Sequence, residues 1–134
     1  MTSRRLLAQA VEALSQVEGM AMDSADLAED VIRLVQAWEG QDDGEAGMLQ
    51  AVDSTVRALR QLVAGAVEGA PLVGDMGGWC SYHYQYRRVR GQRADMRIIY
   101  RRSSDGIQVL AFGNRHRPSD IYRHAAHNRS GQDD

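Results

Sequence analysis

At 134 residues the chain fits one domain, long enough to bury a single real core. A hydrophobic fraction of 43% with 25% charged residues is ordinary for a soluble globular protein, and no apolar run approaches the roughly 20 residues needed to span a bilayer. The formal charge of −2 hides an asymmetry: residues 1–70 hold twelve acids against five arginines, residues 71–134 hold eleven arginines against six acids, and lysine is absent.

No apolar run follows Arg4 and Arg5, so no signal peptide is read and a cytoplasmic protein is expected. Residues 3–18 have the period of a helix, with Leu6, Leu7, Ala10, Val11, Leu14 and Val17 on one stripe. Thr2 or Ser3 can cap it, and Gly19 ends it. Ser24, a good N-cap, opens a second helix with Asp26, Glu29 and Asp30 in its first turns, where the dipole favours acids. Leu27, Val31, Leu34, Val35 and Trp38 form its apolar face, and Gly40 stops it. After the polar connector QDDG a third helix runs over 45–67, its stripe carrying Met48, Leu49, Val52, Val56, Leu59, Leu62 and Val63. No internal repeat is found. The plainest use of these helices is to supply a core.

Residues 70–78 are rich in turn formers, and the period then changes. Residues 79–90 alternate as a strand, with Tyr82, Tyr84 and Tyr86 on one side and His83 and Gln85 on the other. Such a row could stack bases, but packing on the third helix fits better. Cys80 is the only cysteine, so no intrachain disulfide can form; a catalytic thiol close in sequence to His83 is conceivable, but a small half-buried side chain at the strand's start fits better. A turn at 91–94, a strand over 96–102, the SSDG turn and a strand over 107–112 complete an antiparallel meander. Residues 113–119 form a loop. A short helix follows over 120–128, with Ile121 and Ala125 facing inward and Ser119 as a cap, before a polar, frayed tail at 130–134. The class is α+β: N-terminal helices on one face of a small antiparallel sheet of at least three strands, then a short C-terminal helix. The other sheet face is expected to be open and rich in arginine.

Guanidinium groups match phosphate oxygens bidentately and keep their charge. Arg88 and Arg90 stand two apart, hence on one face; Arg97 heads the next strand, and Arg115 and Arg117 sit in the loop before Tyr122 and Arg123. An acidic half joined to this basic half suggests one face for an anionic partner and one turned away from it. His116 and His124 are candidate proton carriers near neutral pH. The four histidines lack zinc-ligand spacing, and no phosphate-cradling glycine motif precedes a helix, so no metal or cofactor is expected.

The stretch YQYRRVRGQRADMRIIYRR, a D-G turn and IQVLAFGNRHRPSDIYRHA resembles the C-terminal half of the RelE/ParE toxin superfamily, over residues 84–122. The resemblance implies a toxin of a toxin–antitoxin pair, either an endoribonuclease cutting mRNA on the ribosome or a non-catalytic binder of DNA gyrase. A third possibility is an inactive nucleic-acid-binding relative. It also implies a cognate antitoxin as partner. Carried over from the nuclease branch, Arg88 and Arg90 act at the phosphate, Arg97 and Arg115 hold its oxygens, and Tyr122 stacks or donates a proton, with His116 as a further candidate. Arg87, Arg93, Arg101, Arg117, Arg123 and His124 are expected to bind RNA. The family opens on a strand that is not seen here, which makes residues 1–22 a possible helical extension. Where the family often has lysine, this chain has arginine, a poor proton acceptor, so the general base is left open.

Overall fold

The computed structural model describes residues 4–87, 90, 91 and 93–132, the last two without their side chains. In chain order the elements are α1 (Arg4–Ser15), β1 (Met20–Ala21), α2 (Ser24–Trp38), α3 (Gly44–Val63), β2 (Ala70–Pro71), a 3-10 turn (Gly74–Met76), β3 (Cys80–Tyr84), β4 (Met96–Ser103), β5 (Gly106–Asn114) and α4 (Ile121–Gln132). Helices come first and the sheet second, the α+β order expected, closed by the short helix α4. None of the described helices is long and apolar enough to cross a membrane.

Local causes set the helix ends. Asp23, not Ser24, caps α2, its carboxylate accepting the Asp26 N–H at 3.0 Å. Helix α3 stops at Val63 instead of 67, because the chain turns at Gly65 with φ of 75°.

The sheet order is β1-β5-β4-β3-β2. Its three long strands make the expected antiparallel meander, but two short strands extend it, and the sheet is mixed. Strand β1 runs parallel to β5 with Met20 opposite Ile107, so a strand does precede the α2–α3 pair. Two residues carry no period, which is why the sequence did not reveal it. Gly106 allows the approach: its φ is 150°, and a Cβ there would strike the Gly19 carbonyl oxygen, which accepts the Ile107 N–H at 2.8 Å. Strand β3 ends at Tyr84, well short of residue 90, because its partner β4 begins at Met96, directly opposite.

Helices α1 to α3 cover one sheet face. Leu14, Val31, Leu34, Leu59 and Leu62 share a buried cluster with Ile98, Tyr100, Ile107, Val109 and Phe112. Each such side chain contributes about 1.5–3 kcal/mol by leaving water. Tyr82 and Tyr84 face α3, and the Tyr84 hydroxyl lies 2.7 Å from Thr55 Oγ1. Tyr86 lies past the strand and packs edge-on against Trp38, so the expected row of three tyrosines is a row of two.

The second face is not open as expected. Ile121 and Ala125 of α4 pack there with Trp79, Ile99, Leu110 and Ala111. Strand β5 is apolar on both faces, and both therefore need cover. Beyond β1 the outer edge of β5 is closed by side chains. Asp30 of α2 accepts the Phe112 N–H at 3.0 Å, and Asn128 of α4 donates to the Leu110 carbonyl at 3.0 Å. Asp30 is fully buried and meets His124 Nε2 at 2.5 Å. Burial pushes its carboxyl above the ordinary value, while the His124 and Phe112 contacts pull it back.

Candidate active site

Register brings the first two groups together. Strand β3 pairs His83 with Arg97 of β4, and Arg97 in turn faces Gly113 of β5. Alternation puts Ser81 and His83 on the face opposite Tyr82 and Tyr84. The start of α4 supplies the rest. Asp120 accepts the Tyr122 N–H at 2.9 Å and holds Arg115 in an ion pair at 2.7 Å. The Tyr122 hydroxyl lies 2.9 Å from Ser81 Oγ and accepts from Arg97 Nε at 3.3 Å. The Arg115 guanidinium stacks 4.6 Å from the Tyr122 ring centre. Arg97 also donates to the carbonyls of Ala94 and Met96, which fixes its fork.

Three sequence-predicted residues thus meet: Arg97, Arg115 and Tyr122. His83 joins them, exposed at the strand edge. Partial burial, then Arg97, then Arg115 hold its imidazole below the usual 6.5. It is therefore a neutral base at neutral pH, flanked by two permanent cations. Arginine cannot accept a proton, and the imidazole supplies what the guanidinium groups lack. Comparison with family models, curated proteins and solved structures finds no match.

The other predicted residues lie elsewhere. Arg88 lies outside the described residues. Arg90 is exposed in a turn beyond β3, not on a strand. His116 is exposed in the loop, where Asn114 Oδ1 accepts its backbone N–H at 2.9 Å, and no contact joins its ring to the cluster among the described residues. Arg117 reaches towards the Trp38 ring, 5.9 Å from its centre. Arg101 donates to Gln108 and covers Trp79 at 4.5 Å, on the distal part of β4. Arg87 turns to the helical half, 3.9 Å from Asp43. Arg93 and Arg123 are exposed. His124 is a correction: it is buried against Asp30 and cannot touch RNA.

Sequence reasoning missed His83, Ser81 and Asp120. For His83 the signal was present in the strand alternation, which already set it apart from the tyrosines. Its register with Arg97 depends on a hairpin that composition does not fix.

Proposed function

We propose that this cluster binds an RNA phosphodiester and cleaves it by attack of the 2′-hydroxyl. The observation that carries the reading is a neutral imidazole paired across two strands with Arg97, beside Arg115 and Tyr122. His83 takes the 2′-OH proton as the 2′-oxygen bonds to phosphorus. Arg97 and Arg115 carry the charge that builds on the phosphoryl oxygens. The bond to the 5′-oxygen breaks, and the Tyr122 hydroxyl delivers a proton to it. The products are a 2′,3′-cyclic phosphate and a 5′-hydroxyl end, and water returns the proton from His83 to Tyr122. The RelE/ParE resemblance supports the same reading: a toxin acting on mRNA at the ribosome and held by a cognate antitoxin.

Primer extension on RNA from bacteria expressing the protein tests this. The expected result is growth arrest with discrete new 5′ ends, and loss of both in His83→Ala and Arg97→Ala. Arrest with intact RNA would favour the gyrase-binding alternative, and harmless expression with intact RNA would defeat the toxin reading altogether.

A further inference from the structure

We infer that the groove between α3 and the open edge of β3 is a second RNA subsite, taking a base that flanks the scissile phosphate. This rests on the cleavage reading of the Arg97 cluster. Strand β2 pairs with Cys80 and Ser81 only, so from Tyr82 onward no strand covers the outer edge of β3 among the described residues. Along that edge lies a groove of about 360 Å³, within the range of about 300–1,000 Å³ common for small-ligand sites.

The lining suits a base. The rings of Tyr82 and Tyr84 lie within 9° of parallel with centres 6.1 Å apart, and the hydroxyl contact with Thr55 anchors the pair. Stacking on such rings tolerates any base. Amides of Gln50 and Gln61 on α3 offer both donors and acceptors to a base edge. Arg57 and Arg87 stand in the same lining. Arg57 is paired with Asp53 at 3.1 Å, but both are exposed, and such a pair opens at little cost.

Continuity with the cleavage cluster decides the occupant. His83 and Ser81 point to the cluster, while Tyr82 and Tyr84, alternating with them, line the groove. A single strand of RNA crossing the open edge would set its phosphate at His83 and a neighbouring base beside Tyr82. Arg87, in the groove's lining, stands where the backbone would pass. An extended peptide is the other guest that an open edge can take. Apart from the tyrosine rings, Ala58 is the only apolar side chain in the groove's lining among the described residues, and flat ring faces beside amides suit a planar base better than a peptide's branched aliphatic side chains.

The test uses full-length protein silenced by His83→Ala and fluorescein-labelled RNA hexanucleotides, read by anisotropy. Tyr82→Leu, which keeps an apolar contact with the core, should weaken binding about tenfold, and Tyr82→Phe should restore it. Gln61→Ala should change which base is preferred at one position of the hexanucleotide. In the cleavage-competent chain it should alter the bases found beside the mapped cut sites. Should Tyr82→Leu fail to fold by circular dichroism, Gln61→Ala and Arg57→Ala on the outer surface of α3 carry the comparison. Equal affinity and unchanged base preference across these variants would overturn the inference, as would a parent protein that binds no hexanucleotide. The two readings fail separately. Groove-dependent binding without any cut sites defeats only the nuclease, and cutting with groove-independent binding defeats only the subsite.

Discussion

An imidazole accepts a proton only when neutral, so the charges around His83 set the pH range of any cleavage. Burial and the two guanidinium groups disfavour the imidazolium and hold its pKa below 6.5. The rate should therefore be flat near neutrality and fall as pH drops through that lowered value, giving an acid limb below pH 6.5. Arg97→Gln removes one of the cations. Its rate should collapse, yet the surviving limb should move up towards 6.5, since burial and Arg115 alone remain to lower the pKa. A pH profile of kcat/KM for the two proteins checks this, and a limb that stays in place would mean that another group takes the proton. Arg97 and Arg115 were legible from the sequence because they stand at the ends of strands with clear turn signals, whereas Tyr122, on α4, drew its role only from the family resemblance. His83 was visible as a face but not as a neighbour of Arg97, since that contact needs the register across residues 85–95.

At the scale of elements, α4 brings Tyr122 to the site, and its anchorage decides whether that ring stays beside Arg97. The anchor is polar and buried: Asp30, His124 and Asn128 close the β5 edge where β1 leaves it. Removing one partner of such a buried pair strands the other together with the Phe112 N–H. Asp30→Ala should cost about 3 kcal/mol and lower Tm by roughly 10 °C. Asp30→Asn, which keeps an acceptor for the N–H, should lose less. Thermal and denaturant melts of both variants measure the difference, and equal losses would show that the charge, not the hydrogen bond, holds the edge. This anchor was half legible. Ile121 and Ala125 mark the inward face in the sequence, and His124 and Asn128 share it at helical spacing, but polar residues do not announce their own burial. Its partner Asp30 lies 94 residues away and sits in a helix turn where acids are ordinary, so nothing local marked it. The two-residue strands escaped for a simpler reason: they exist only through what they pair with.

Across the whole molecule the acidic and basic halves are set against each other, and the contacts show where. Arg87 leans on Asp43 at 3.9 Å and Arg102 on Glu68 at 3.7 Å, both acids belonging to the helical half. Arg115 pairs instead with Asp120, and no carboxylate pairs with Arg97 among the described residues. The helical acids thus restrain outlying arginines, while of the cluster's own cations Arg115 is held by Asp120 and Arg97 has no carboxylate partner among the described residues. Exposed pairs of this kind are weak and screened by salt, so RNA can compete for their arginines. Single-stranded RNA binding should follow a log–log salt slope of about −0.7 for each phosphate contacted. Asp43→Asn keeps an acceptor for the Tyr86 hydroxyl, which donates to Asp43 at 2.9 Å, while releasing Arg87. Binding should tighten at low salt, and the slope should steepen by about 0.7 if the freed guanidinium takes one phosphate. Titrations of the His83→Ala protein with and without Asp43→Asn, at several salt concentrations, give both numbers. An unchanged slope would place Arg87 off the nucleic acid, and the path across the β3 edge would then lose its first contact beyond the cluster.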